Sequence, residues 1–191
     1  MAEDRTSILK PDRNEAPWLN RTVALVGLMG AGKSTVGRRL ATKLGRDFYD
    51  SDNEIEKAAG QSVADIFESH GEEEFRRGEH SVLKRLLDQK PHVLATGGGA
   101  YLNPETRAMM REKAVTIWLN ADLEVLWKRV SRRNHRPLLQ RPDAKQVLGN
   151  LFEERRSIYE LADLTVTSMD GPHSKTVTAI IKALETWTPQ Q

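Results

Sequence analysis

Residues 22–35 read Thr22-Val-Ala-Leu-Val-Gly-Leu-Met-Gly-Ala-Gly-Lys-Ser34-Thr35, an apolar run entering a glycine-rich turn that closes on Lys33 and Ser34. The spacing Gly27-x4-Gly32-Lys33-Ser34 suits a phosphate cradle. Glycines at 27, 30 and 32 let the backbone turn tightly and bring its N–H groups close to a polyphosphate. The helix that starts next turns its positive dipole end toward the same anion. Lys33 adds a point charge for the β and γ phosphates, and the Ser34 hydroxyl is placed to ligate Mg²⁺. Gly30, Ala31, Gly32, Lys33, Ser34 and Thr35 are thus the candidates for nucleotide contact. The plain alternative is an ordinary glycine turn; the flanking strand and helix favour the cradle.

Two further strand ends carry chemistry. Asp50-Ser51-Asp52 offers two aspartates beside the cradle. One can hold Mg²⁺ through water, and the other can accept a proton or hydrogen bond from a hydroxyl attacking the γ-phosphoryl group. Alternatively both are turn and N-cap residues before a helix at 53–59. Thr96-Gly97-Gly98-Gly99 has almost no side chain to offer, so its value lies in exposed N–H groups and close approach of a small ligand, against the alternative of a flexible loop. Arg76, Arg155 and Arg156 lie on helical segments, where arginine is usually a solvated surface charge. Converging on one acceptor, two of them would clamp a carboxylate or phosphate in fork geometry. Arg132, Arg133, Arg136 and Arg141 gather around two prolines and read as a mobile basic lid, with Arg136 the leading candidate to neutralise charge in phosphoryl transfer. The five histidines show no metal or triad spacing and receive no role, and Trp118 and Trp127 read as packing residues.

These groups need a scaffold. Five short runs, 22–27, 47–50, 92–96, 115–119 and 164–167, have strand character and alternate with helical patterns. That alternation predicts a parallel sheet with right-handed crossovers and helices on both faces, whose ligands sit at the carboxyl ends of the strands. Ser62-Val-Ala-Asp65 is a capping box, Asn103-Pro104 an N-cap with proline at the first helical position, and 72–89 is amphipathic through Phe75, Val82, Leu83, Leu86 and Leu87. Leu123, Leu126, Trp127 and Val130 repeat that pattern, and helices are expected over about 143–162 and 174–187. The chain of 191 residues, 38% hydrophobic, suits one domain, with residues 1–20 read as an extension and 21–188 as the domain. Within it, about 51–80 is the expected substrate-binding region and about 131–143 the lid. A net charge of +2 gives no basic excess for nucleic acid, the absence of cysteine excludes disulfides and thiolate metal sites, and no apolar run reaches the ~18 residues that cross a bilayer. A monomeric cytoplasmic protein with neither nucleic-acid nor membrane partners is the expectation.

With Gly-Leu-Met-Gly-Ala-Gly-Lys-Ser-Thr35, Asp50-Ser-Asp52, Phe75-Arg76, Gly97-Gly-Gly99, Arg136-Pro-Leu-Leu139 and Glu154-Arg155 ahead of Tyr159, the chain resembles the shikimate kinases, within the nucleoside-monophosphate-kinase-like group. The resemblance covers about 21–187. It implies a three-layer fold with a five-stranded parallel sheet in the order 2-3-1-4-5, and ATP-dependent phosphorylation of the 3-hydroxyl of shikimate on the route to chorismate. Carried over, Asp52 would bind the ring hydroxyls and orient or deprotonate the nucleophile, and Arg76, Arg155 and the Gly98 backbone would hold the substrate. Lys33 and Arg136 would embrace the transferring group, and Ser34 and Asp50 would serve Mg²⁺, Asp50 through water. Residues 168–172 fall where that family has its adenine-binding loop. The rival readings are a gluconate-kinase-like enzyme of the same group and a catalytically silent nucleotide-binding homologue.

Overall fold

The central strand, β1 (Thr22–Val26), is buried at all five positions, so after Thr22 its sequence is apolar without alternation, as a parallel strand covered on both faces requires. The structure is a computed structural model and describes residues 16–132 and 143–189. Around β1 lie β2 (Phe48–Asp50), β3 (Val93–Ala95), β4 (Ala114–Asn120) and β5 (Leu164–Thr167), all parallel, in the order β2-β3-β1-β4-β5. This is the order that the resemblance implied. In the register, Leu25 sits between Ala95 and Ile117. The chain departs from β1 first toward β3 and β2 and later toward β4 and β5. The carboxyl end of β1 is therefore the point where the winding reverses, and a crevice opens there.

Among the described residues six α-helices connect the strands and a seventh follows β5: α1 (Lys33–Leu44), α2 (Ser51–Ala59), α3 (Val63–Leu87), α4 (Pro104–Lys113), α5 (Leu123–Val130), α6 (Ala144–Tyr159) and α7 (His173–Glu185). One packing group is α1 with β2, β3 and α7, and α7 with β5; in a second, α3, α4 and α6 gather around a 3₁₀ turn at Ala100–Leu102. Both expected start signals are present. Ser62 and Asp65 satisfy one another's backbone N–H groups, and the Asn103 side chain accepts from the Thr106 N–H ahead of Pro104. The apolar residues expected on the second half of α3 are buried. Gly71, with φ 81° and ψ 175°, breaks that element into 63–70 and 72–87. Among the described residues no helix is long and apolar enough to cross a membrane.

Most element ends shift by one to three residues, and two boundaries differ in ways that bear on packing. α2 begins at Ser51 rather than at Asn53, because Asp50 takes the N-cap position and its side chain accepts the Asp52 N–H. The domain boundary expected near Asn20 falls inside packed structure. A 3₁₀ turn at Pro17–Asn20 buries Trp18, and the Arg46 guanidinium donates to the Leu19 and Arg21 carbonyls at 2.6 and 2.8 Å while lying 5.1 Å from the centre of the Trp18 ring. Polar neighbours disguise that apolar anchor in the sequence. Trp118 is 3% exposed and Trp127 packs against the core, in line with their reading as packing residues.

Candidate active site

The phosphate loop runs from the end of β1 into α1, and each of its three glycines has positive φ: 130° at Gly27, 82° at Gly30 and 95° at Gly32. Such a backbone turns its N–H groups inward as an anion nest. Lys33 opens α1 with its ammonium held inside the loop, donating to the Gly27 and Leu28 carbonyls at 2.6 and 3.0 Å. Beside it the Ser34 hydroxyl donates to Asp50 Oδ2 at 2.6 Å, while Asp50 Oδ1 accepts the Asp52 N–H at 3.2 Å. One Asp50 oxygen thus caps α2, as the N-cap alternative expects, and the other faces the phosphate loop. Ser34 and Asp50 form a pair of hard oxygen donors, and among the described residues there is no cluster of three or more His, Asp or Glu that would cage a metal. That donor set fits Mg²⁺, which keeps several waters and completes its octahedron with phosphate oxygens.

Across the crevice, the loop after β3 lies in a ring of charged side chains. A Cβ placed on Gly97 would stand 2.7 Å from Asp52 Oδ1 and 2.9 Å from Glu79 Oε1, and one on Gly99 would collide with the Arg76 guanidinium. A side chain at either position would have to displace the ends of these charged groups, which press directly on the backbone. Gly98 looks the other way, its added Cβ lying 3.6 Å from the Met29 N and 3.8 Å from the Gly27 O of the phosphate loop. The loop is also tied by hydroxyls: the Gly97 N–H donates to Ser51 Oγ at 2.8 Å, and the Tyr159 hydroxyl donates to the Gly98 carbonyl at 2.5 Å.

Arg76 reaches this loop from α3. Its Nη1 donates to Glu79 Oε2 at 2.7 Å, with a second, more exposed carboxylate, Glu72, at 3.2 Å. Glu79 is 3% exposed. Burial pushes its carboxyl above the ordinary range against the pull of Arg76, and the charges of Asp52 and Glu72 push it further. Burial opposes the charge on Arg76 too, but the bonds and charges of Glu79 and Glu72 outweigh it and hold the guanidinium more firmly protonated than usual. The pKa of the Tyr159 hydroxyl is raised chiefly by burial, against the charge of Arg155, a hydrogen bond with Arg155 and the charge of Arg76. Arg156 points elsewhere and pairs with Glu160 on an exposed face.

A cavity of about 520 Å³ joins the two halves. Its walls include Gly30, Gly32, Lys33, Ser34, Thr35, Asp50, Asp52 and Gly98, all singled out from sequence. Ala31 is buried behind the wall instead, its carbonyl accepting from the Ser168 hydroxyl at 2.9 Å. Arg76 and Arg155 flank the glycine loop and are not part of the wall. Arg136, Arg133 and most of the expected lid lie outside the described residues.

At the other end of the cavity stand Arg129, Arg132, Asp170, Gly171 and His173, so the segment 168–172 does reach it. Arg129 knits that end together, donating to the Gly30 and Ala31 carbonyls at 3.3 Å each, to Ser168 Oγ at 3.0 Å and to the Met169 carbonyl at 2.7 Å. Sequence reasoning missed Arg129, Glu79, Ser51 and His173 as parts of the site. Each sits within a helical run whose residue type alone reads as surface charge or ordinary polarity; only the order of the strands reveals what it faces.

The geometry is matched by three comparisons. A family model described as shikimate kinase matches residues 29–185. The chain is 54% identical to the shikimate kinase of Caulobacter vibrioides over 169 residues, 88% of this chain and 84% of that one. Among solved structures, the shikimate kinase of Acinetobacter baumannii in complex with shikimate superposes with a TM-score of 0.83 at 39% identity, covering 87% of this chain and 94% of the other. A gluconokinase from Sinorhizobium meliloti superposes with a TM-score of 0.59 at 19% identity over 87% and 92% of the two chains, a likeness of fold alone. A phosphate loop facing an aspartate, an arginine and a triple glycine, on a chain so extensively matched, leads to one assignment: the chain belongs to the shikimate kinase family.

Proposed function

We propose that this protein transfers the γ-phosphoryl group of ATP to the 3-hydroxyl of shikimate, giving shikimate 3-phosphate and ADP on the route to chorismate and the aromatic amino acids. The observation that carries the reading is the facing of the two half-sites, with Gly98 set against the phosphate loop while Asp52 and Arg76 press on the neighbouring glycines. The acceptor must offer a hydroxyl to a carboxylate and an acid group to arginine, and shikimate has both.

In this reading the nucleotide phosphates lie on the N–H groups of residues 30–35, and Lys33 exchanges its carbonyl partners for phosphoryl oxygens. Asp52 orients the 3-hydroxyl and receives its proton as the new oxygen–phosphorus bond forms and the bond to the ADP oxygen breaks. Arg76 and Arg155 hold the carboxylate, and the Gly98 backbone holds the ring. Arg76 is well suited to this because Glu79 fixes its guanidinium before the substrate arrives. Ser34 directly and Asp50 through water would hold Mg²⁺, which supplies positive charge to the phosphoryl oxygens when bound. Arg136 is assigned the outer side of the transferring group. The protein is read as a cytoplasmic monomer.

The test is ADP release from Mg-ATP with shikimate, run beside gluconate and nucleoside monophosphates. Release that depends on shikimate alone is expected, and it ceases when EDTA removes the metal. Turnover of gluconate in preference to shikimate would overturn the acceptor assignment, and the absence of turnover with any acceptor would favour a silent nucleotide-binding homologue.

A further inference from the structure

Three consecutive glycines cannot hold a shape by themselves. Glycine carries the largest backbone entropy to be lost, and this run has no side chain with which to anchor itself. Local turns engage the Gly97 and Gly99 carbonyls, which accept from the Ala100 and Leu102 N–H groups at 3.2 and 3.0 Å, and two buried hydroxyls from other elements hold the Gly97 N–H and the Gly98 carbonyl. Ser51, fully buried, accepts the Gly97 N–H; Tyr159, 1% exposed, donates to the Gly98 carbonyl. Between them these bonds fix two backbone groups on either side of the Gly97–Gly98 linkage. The Tyr159 ring is itself held, stacked on Trp118 at 6.1 Å between centroids and 25° between planes.

The positions of the two hydroxyls in the chain give the bonds a further meaning. Ser51 directly precedes Asp52, so its bond ties the glycine loop to the carboxylate proposed to receive the proton. Tyr159 lies four residues after Arg155 on α6, one helical turn along the same face, so its bond ties the loop to the helix that carries an acceptor-holding arginine. We propose that Ser51 and Tyr159 are positioning residues of the acceptor half-site: together they set the glycine loop at fixed distances from Asp52 and Arg155 and so define where the acceptor ring rests. The inference depends on the acceptor reading above.

Two variants remove one hydroxyl each, Ser51→Ala and Tyr159→Phe, the second keeping the ring on Trp118 while also losing the hydroxyl's bond with Arg155. Each is expected to lower kcat/KM for shikimate about tenfold, mainly through KM, while the KM for ATP stays within about twofold. Because both act on one loop, the double variant should lose less than the product of the single losses. Ser51→Thr, which keeps an acceptor oxygen, should recover most of what Ser51→Ala loses. Equal rises in both KM values, or a fall in Tm with unchanged kinetics, would reduce the pair to a merely structural role. The bonds are also read without any variant. In the wild-type protein the Gly97 amide should exchange with solvent at least about 100-fold more slowly than an open loop amide, and rapid exchange refutes the clamp even where a variant fails to fold. Wild-type protein that ignores shikimate altogether defeats the acceptor assignment instead, and leaves Gly97 protection intact.

Discussion

In the proposed function, the two halves of the crevice recognise their ligands by different means. The nucleotide half is one contiguous stretch, residues 27–35, in which the backbone itself is the binding surface and the side chains of Lys33 and Ser34 complete it. The acceptor half is assembled from four separate places: the start of α2, the second half of α3, the loop after β3 and the last turns of α6. A backbone site is specified wherever glycines and a helix start fall in order. A side-chain site depends on the sheet bringing distant segments together and on buried partners that hold each charge at the correct angle. On that reading the first would grip any polyphosphate, whereas the second would discriminate among small hydroxy acids.

Substitutions that strike one half and spare the other test this division. The largest effect is expected from Asp52→Asn, a loss of about 10²–10⁴ in kcat with ATP affinity within about threefold of wild type, measured by steady-state kinetics and nucleotide titration. Wild-type turnover in that variant would remove Asp52 from the chemistry. Lys33→Met should lose about 10²–10³ in turnover and weaken ATP as well, because its charge serves both the ground and transition states; a shikimate KM that rose as steeply as that for ATP would dissolve the boundary between the halves. Arg76→Lys keeps the charge and loses the fork, and is expected to raise the shikimate KM about tenfold with ATP unaffected. Equal changes in both constants would count against a carboxylate clamp.

The smallest effect concerns stability. Glu79 has its carboxyl raised in the folded chain, mainly by burial, so the folded state binds that proton more readily than the unfolded one. Its contribution is complete below the ordinary carboxyl value and fades as pH rises through the raised value. Glu79→Gln should therefore flatten the dependence of the urea midpoint on pH across that window. Parallel profiles for variant and wild type would mean that the burial of Glu79 carries no such cost.

Legibility followed the same division. The cradle, five strands and the two helix caps could be read because each is a local pattern of glycine spacing, apolar runs or capping side chains. Asp50 and Asp52 could be read once they were placed at a strand end. Glu79 could not: it follows Glu72, Glu73 and Glu74 on a charged helix and looks like another solvated acid, although its neighbours in space leave it 3% exposed. Arg129 resembles any basic residue near the end of a helix until β5 brings Ser168 and Met169 beside it. Trp18 was hidden among prolines and polar residues, because a single apolar anchor has no periodicity to detect.

That tryptophan has a practical consequence. The clasp of Arg46 on residues 18–21 lies ahead of β1, at the amino ends of the strands, whereas the proposed substrate crevice opens at the carboxyl ends. A fusion partner or surface tether joined upstream of Ala16 would leave from the floor of the molecule, with the catalytic mouth directed away from whatever it is attached to. Cutting the chain after Trp18 instead would remove a core side chain and the face on which Arg46 rests.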